Sequence, residues 1–325
     1  MSIRFRLLLP VMALVLAGCD LDMLPHQFWD AETKTGDLAR FLGVQQADAV
    51  ATGSPVLGEG GALGATGRPA VSLRVIRTGR STPSVGGTVV STTGHESATF
   101  PTDNGTVTSV SVDAGVSVWR GFRAGRTRVA GITLLGGLST LPGFGESDLD
   151  IRGGGGLVVA FGTRLGIMEE TDRHPGISVT TTWRKLPQFS LGPQPMPTDD
   201  GGTMSISLSD VSGQVVQSRL AASKTFGRFG VIAGIGRDHY SAHGDLELRL
   251  TSPGNQGVEL AERSSSVDRT VLFAGATWRV GRTIIGAEVG RTGGIDSQES
   301  PVNNRFEGRS DWSRTYLSVG ARLGP

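Results

Sequence analysis

The residues best suited to chemistry are two histidines around a serine in the run from His239 to His243. On a β-strand, His239, Ser241 and His243 would share one face, and the histidines would stand ~13 Å apart at a rise of ~3.3 Å per residue. That separation is too large for one metal ion. A serine hydrolase would also need an orienting partner and an oxyanion hole, and no spacing in the chain identifies either. We therefore interpret the run as the polar end of a strand.

A second set of candidates consists of charged side chains among small residues. If the chain forms strands, seven of them share the face rich in glycine, serine and threonine: Asp113, Arg164, Arg184, Arg219, Asp238, Glu288 and Arg322. Mixed charges enclosed together would neutralise one another, because each is costly to bury alone. They predict a network of ion pairs and hydrogen bonds that fills a lumen. The alternative is a polar path for a small solute or ion.

The elements that must position these residues are β-strands. From Val110 to Trp119 every even-numbered residue is apolar, and other segments alternate in the same way. Glycine supplies 49 of the 325 residues, which argues against a mostly helical protein because glycine destabilises helix interiors. The predicted strands are residues 70–77, 110–119, 128–138, 156–167, 177–185, 215–226, 229–236, 270–280, 283–291 and 316–323.

Short and long connections alternate between these segments. Gly227-Arg228 and Gly281-Arg282 are tight turns, whereas residues 79–105, 187–213 and 241–267 predict long polar loops. Transmembrane barrels have short periplasmic turns and long outer loops, and ~9–11 residues of a tilted strand cross a bilayer. The pattern predicts an all-β, antiparallel, up-and-down transmembrane β-barrel of about ten strands, with a range of roughly eight to twelve.

Alternation alone would also fit a soluble β-sandwich. The second face of the strands carries mostly Gly, Ser, Thr and Ala, which suits a narrow lumen better than a surface in bulk water. Near the short-turn ends, six aromatic residues predict a girdle at the membrane interface: Trp119, Phe122, Trp183, Phe226, Phe229 and Trp278. An exported soluble all-β lipoprotein with a binding domain is the alternative.

The first nineteen residues predict an export signal. Arg4 and Arg6 precede an apolar run, Leu7 to Gly18, that is too short to span a bilayer as a helix. Its end, Leu16-Ala17-Gly18-Cys19, resembles the lipobox of bacterial lipoproteins. The resemblance implies that Cys19 is lipidated, and an ordinary cleavage site is the alternative.

The chain therefore divides into three predicted parts: a signal peptide at 1–19, a periplasmic linker at 20–69 and a barrel at 70–325. In the linker, Leu38, Phe41 and Leu42 form an apolar stripe with helical spacing, which favours a short helix. The alternatives for this helix are docking on or inside the following domain and a position in the periplasm.

From Ala70 to Leu323 the pattern resembles bacterial outer-membrane β-barrel proteins as a class. The resemblance implies a place in the outer membrane of a Gram-negative envelope, with the lipid bilayer and the barrel assembly machinery as partners. Such proteins usually end in an aromatic residue, and here Leu323 would have to serve in that role.

Composition limits the function. A net charge of +1 gives no indication of a basic surface for nucleic acid. The single cysteine leaves the barrel without a disulfide or a thiolate metal site. About ten strands enclose little more than an eight-strand barrel that side chains can fill, so a porin-like pore of ~16 strands is not expected. We expect a structural, surface-binding or small-solute role, with no enzymatic activity, cofactor or metal. An outer-membrane hydrolase is the third choice.

Overall fold

The computed structural model describes residues 26–54, 56–58, 67, 69–94, 96–145, 148–252, 255–293, 304–307 and 313–324. They form one helix, α1 (His26–Ala51), and sixteen strands. In chain order the strands are β1 (Pro69–Pro83), β2 (Thr99–Phe100), β3 (Thr102–Trp119), β4 (Phe122–Ala124), β5 (Thr127–Val129), β6 (Gly131–Leu141), β7 (Ile151–Gly153), β8 (Gly156–Met168), β9 (Gly176–Lys185), β10 (Phe189–Pro197), β11 (Thr203–Phe226), β12 (Phe229–Ser252), β13 (Asn255–Val280), β14 (Thr283–Thr292), β15 (Arg305–Phe306) and β16 (Arg314–Leu323).

Ten of these strands form a closed antiparallel barrel in the order β1, β3, β6, β8, β9, β11, β12, β13, β14, β16. The barrel closes where β1 pairs with β16, in a register that runs from Val71 opposite Leu323 to Thr78 opposite Tyr316. Neighbouring strands along the chain are neighbours in the barrel, which confirms the predicted up-and-down fold. We call the end with the β11–β12 and β13–β14 turns the short-turn end, and the opposite end the long-loop end.

Three strands are much longer than a bilayer crossing requires. β11, β12 and β13 contain 24, 24 and 26 residues, against the ~9–11 that cross the hydrocarbon. The prediction of loops at 187–213 and 241–267 was therefore wrong for most of their length. Alternate residues such as Leu246 and Leu248 continue to point inward there and are buried, which keeps the polypeptide in strand conformation.

The two faces of the barrel wall differ in chemistry. On β1 the outward side chains Val71, Leu73 and Val75 are 42, 52 and 45% exposed, whereas the inward Ser72 and Arg74 are buried. The same alternation surrounds the barrel and produces an outer apolar belt, with members on every barrel strand except β9 that include Val112, Leu134, Leu138, Leu165, Leu220, Val231, Ile235, Leu272, Ile285, Val289, Leu317 and Val319. These side chains do not face a second sheet, so the sandwich alternative is not favoured.

The chain between residues 26 and 58 differs from the expected linker with a short helix. α1 has 26 residues, of which 20 are buried, and it lies within the barrel. The helix is followed by Thr52 and by Gly53 with a φ of +92°, a backbone conformation that favours glycine and ends helices. Among the described residues, no helix combines the length and the hydropathy needed to cross a membrane.

At the long-loop end the first half of α1 is part of an apolar core. Leu38, Phe41 and Leu42, the predicted stripe, are buried against the inward residues of β11 and β12. The ring of Phe41 stacks on Phe306 at a centroid distance of 3.9 Å, and Phe306 also stacks on Phe100. The long strands and the loops therefore form a folded cap around the helix.

Candidate functional site

The helix α1 is held from several sides of the barrel wall. Ser109 of β3 donates a hydrogen bond to the carbonyl oxygen of Ala49 over 2.5 Å. Across the lumen, Arg269 of β13 forms a buried ion pair with Asp48, and Tyr240 of β12 lies against Gly43. Because β3 and β12 are five strands apart in a ten-stranded ring, these contacts span the full width of the lumen.

The carboxyl end of α1 is capped by the barrel wall. Arg219 donates a hydrogen bond to the carbonyl oxygen of Ala51 over 3.1 Å, and Gln217 donates to the same atom. A guanidinium suits this position because the last carbonyls of a helix carry partial negative charge. Arg219 also binds both carboxylate oxygens of Asp238, at 2.5 and 2.9 Å. Wall and helix therefore share one buried charge cluster.

The segment after the helix is bound through its backbone. Glu288 accepts a hydrogen bond from the amide of Ser54 over 3.0 Å, and Arg74 donates to the carbonyl oxygen of Ser54 over 2.6 Å. Arg322 donates to the carbonyl oxygen of Leu57 over 2.9 Å. Side chains of the wall thus replace the water that would otherwise solvate this extended segment.

A second buried charge cluster lies between β1, β3 and β9. Asp113 accepts hydrogen bonds from Arg74 over 2.8 Å and from Ser111 over 2.8 Å. Arg184 lies 3.8 Å from the second carboxylate oxygen and donates to Gln217 over 2.9 Å. This cluster is continuous with the helix cap, because Gln217 contacts both Arg184 and Ala51.

All seven charged residues singled out from the sequence point into the lumen and are buried. The structure brings Asp113 together with Arg184, and Arg219 together with Asp238. Arg164 instead donates to Thr180 over 3.0 Å. Glu288 and Arg322 bind backbone atoms of residues 54 and 57, so the network serves the chain inside the barrel as well as itself.

Sequence reasoning missed several residues of this network. Arg74 lies in a strand with weak alternation, and Arg269 precedes the predicted start of its strand by one residue. Asp48 lies in the predicted linker, where nothing indicated an inward position. One signal was available in the sequence. In the alternating pattern, Arg74 and Arg269 fall on the same face of the strands as the charged residues that were predicted to point inward.

The aromatic residues of the predicted girdle mostly lie at the short-turn end. Trp119, Phe122, Phe226, Phe229 and Trp278 are all exposed there, and Trp119 and Phe122 form an edge-to-face pair with centroids 4.8 Å apart.

Trp183 is different, and its assignment to the short-turn end was wrong. β9 begins at that end with Gly176, so Trp183 lies seven residues further, near the long-loop end. There it stacks on Phe161 and donates to Gln214 over 2.9 Å. Because β9 runs from the short-turn end to the long-loop end, its last residues lie far from the short turns.

The two histidines of β12 lie on the outer face above the apolar belt. His239 is 3.1 Å from Asp268, and His243 is 2.9 Å from Ser212. Their partners differ, and among the described residues neither histidine forms a relay with Ser241 and a carboxylate. The arrangement matches a polar surface where the strand leaves the belt.

A cavity of about 560 Å³ lies beside α1 at the long-loop end. Its helix wall carries Glu32, Asp37 and Arg40, and its strand wall includes Leu246 and Arg263. Arg263 and Glu32 form an ion pair across it. The volume falls within the ~300–1,000 Å³ of small-molecule sites, and the mixed lining offers both apolar and charged contacts.

No protein-family model matches the chain, and no curated protein matches it. Several solved structures are partly similar to the chain. Ail, the attachment invasion locus protein of Yersinia pestis, has 11% identity over 80% of this chain and 100% of its own, with a TM-score of 0.30. The translocator domain of the autotransporter NalP from Neisseria meningitidis has 12% identity, coverages of 90% and 96%, and a TM-score of 0.34. The transport unit of the autotransporter AIDA-I from Escherichia coli has 8% identity, coverages of 90% and 98%, and a TM-score of 0.36.

Proposed function

We propose that this chain is an outer-membrane β-barrel that is closed by its own N-terminal helix and that acts by binding at the cell surface rather than by conducting solutes. The observation that carries the proposal is the position of α1, which fills the lumen and is bound to the wall through buried charges such as the Asp48–Arg269 pair.

The apolar belt supports a place in a membrane. Side chains such as Leu272 and Val289, 57 and 51% exposed, would be costly to leave in water around the whole circumference. A closed barrel also satisfies every backbone group of its wall, which hydrocarbon requires. Short turns on one side and long connections on the other are the arrangement of outer-membrane barrels, with the turns in the periplasm.

The filled lumen argues against a constitutive channel. A helix with its side chains is ~10–12 Å wide, and α1 takes up that width in the half of the barrel towards the long loops. Below it, Arg74, Arg322 and Glu288 bind the extended segment. Opening a path would require buried charges to lose their partners, which is costly.

The long-loop end supports a binding role. The extensions of β11, β12 and β13 place a folded surface beyond the membrane, and the cavity beside α1 opens there. Binding residues are commonly found on such connections, held by a rigid scaffold. We assign ligand binding to this end of the molecule, with the cavity between α1 and β13 as the site.

Export and assembly belong to the same proposal. The predicted signal and Cys19 lie outside the described residues. Delivery to the barrel assembly machinery would rely on β16, whose last residue is Leu323. An exchange of Leu323 for Phe should raise the yield of assembled protein if this end is the recognition signal.

The experiment combines two readouts on the purified full chain. Migration on a denaturing gel with and without boiling reports barrel formation, and planar-bilayer conductance reports an open lumen. We expect a heat-dependent shift and no steady conductance in the wild type, and conductance in a variant that lacks residues 26–54. A missing shift would contradict the barrel in the membrane, and steady wild-type conductance would contradict the closed lumen.

A further inference from the structure

Seven exposed arginines lie at the short-turn end of the barrel. Arg173 shares its connection with three acidic residues, and we call the other six the arginine ring: Arg120, Arg123, Arg126, Arg228, Arg279 and Arg282. Its members lie on three of the four connections at this end. The β11–β12 turn, which carries Arg228, is adjacent to the end of β13, because the amide of Arg279 donates to the carbonyl oxygen of Arg228 over 2.8 Å.

Three carboxylates lie at this end, those of Glu169, Glu170 and Asp172, and the first two have partners outside the arginine ring. On the fourth connection, Glu169 lies 3.8 Å from Arg128, and Glu170 accepts a hydrogen bond from the amide of Thr225 over 2.6 Å. Within the described part of the chain, no side chain of the arginine ring forms an ion pair. The ring is therefore a surface of uncompensated positive charge on a protein whose net charge is only +1.

The arginine ring lies at the depth where lipid headgroups would meet the barrel. Trp278 and Arg279 are consecutive, and Phe229 follows Arg228 directly. Exposed aromatic residues mark the interface between hydrocarbon and headgroups. An arginine beside them can reach a phosphate, and its planar guanidinium binds phosphate oxygens in a bidentate manner.

We propose that the arginine ring binds the headgroups of anionic phospholipids in the leaflet on the short-turn side. The inference rests on the proposed membrane location of the barrel. Basic residues near an anionic membrane surface each strengthen binding measurably, and the attraction falls within a Debye length. The six guanidiniums of the arginine ring are positively charged and unpaired, and they lie beside the aromatic residues that mark the edge of the hydrocarbon. They therefore have both the charge and the proximity that this attraction requires.

The test uses the full chain in bilayers that contain brominated phosphatidylglycerol or brominated phosphatidylcholine. Bromine quenches nearby tryptophan. All samples carry Trp29→Phe, Trp183→Phe and Trp312→Phe, so that Trp119 and Trp278 report the lipid beside the arginine ring. We expect the wild type to prefer phosphatidylglycerol. The Arg228→Gln/Arg279→Gln/Arg282→Gln variant should lose at least tenfold of that preference, because each basic residue at an anionic surface contributes about fivefold.

A matched control changes the same charge at the other end. Arg152, Arg237 and Arg249 are exposed at the long-loop end and paired with Asp150, Asp268 and Glu247. The corresponding triple exchange to Gln should keep the lipid preference. Equal quenching of the wild type by both lipids, or an equal loss in both triple variants, would overturn the inference.

The heat-dependent gel shift is measured on every sample to separate the two proposals. A chain that lacks the shift contradicts the membrane barrel itself, whereas a shifted barrel without lipid preference contradicts the role of the arginine ring alone.

Discussion

Arg219 donates a hydrogen bond to the carbonyl oxygen of Ala51 and, through both terminal nitrogens, holds the carboxylate of Asp238. One wall residue thus caps the helix and neutralises a buried charge. Replacing it by methionine leaves Asp238 buried without its partner, and breaking a buried pair in this way costs about 3–5 kcal/mol. We expect that loss in the free energy of unfolding, measured by urea titration of the folded barrel.

The Arg219→Met/Asp238→Leu variant is the control for this effect. It removes both charges, so the desolvation penalty disappears together with the pair. A double variant as unstable as the single one would show that the cap on Ala51, rather than the buried charge, accounts for the loss.

Two glycines of α1 provide a matched test of the fit between helix and wall. A Cβ atom at Gly43 would overlap the hydroxyl of Tyr240, whereas one at Gly36 meets nothing within 4 Å. Gly36→Ala should stabilise the helix by about 0.5–1 kcal/mol, since alanine is the better helix former. Gly43→Ala should instead weaken helix docking and increase conductance. Equal behaviour of the two variants in the bilayer assay would contradict the placement of α1.

The apolar belt predicts a depth-dependent effect of charge. Val319 points outward in the middle of β16, and an arginine there should destabilise the inserted barrel by about 2–4 kcal/mol. Leu260 is 74% exposed near the tip of β13, beyond the belt, and Leu260→Arg should leave the stability unchanged. The comparison is made by unfolding from lipid vesicles. A Val319→Arg barrel as stable as the wild type would exclude contact of this face with hydrocarbon.

Above the belt, the Arg237 side chain lowers the pKa of the Asp268 carboxyl by hydrogen bonding to it, against the opposing effect of burial. Because the pKa of this carboxyl is lower in the folded than in the unfolded chain, the ionised carboxyl stabilises the fold at a pH above the ordinary pKa of aspartate. This stabilisation is lost as the pH falls through the lowered pKa. Arg237→Gln should move the pKa of Asp268 upward, as measured by carboxyl NMR. Arg249→Gln serves as the control, and an unchanged Asp268 titration in Arg237→Gln would refute the assignment.

The ten strands of the barrel could be predicted because an apolar outer face and a polar lumen impose strict alternation on each of them. The contrast between Val112 and Asp113 is visible in the sequence for that reason. The outer parts of β11 to β13 alternate as well, with Met204, Ile206 and Leu208 inward. Their serine-rich outward face resembles a loop, and the apolar residues have a clear role only once α1 is known to lie opposite.

The position of α1 could not be predicted, because a helix in a polar lumen lacks the usual amphipathic pattern. Its buried face includes Asp30, Lys34 and Asp48, residues that a helix on a soluble protein would expose to water. Asp30 pairs with Lys34 one turn away, and Asp48 pairs with Arg269 from a strand more than two hundred residues later. Partners so distant in the chain cannot be paired by spacing.

The direction of α1 has a consequence for biogenesis. The helix starts near Asp200 at the long-loop end, descends through the lumen, and the same polypeptide re-emerges at the opposite end to become β1. Drawing that stretch through a finished barrel would mean pulling the polypeptide past closely packed arginines. The helix must therefore be enclosed while the wall is still an open sheet. Pairing of β16 with β1, which closes the ring of strands, is then the step that traps it.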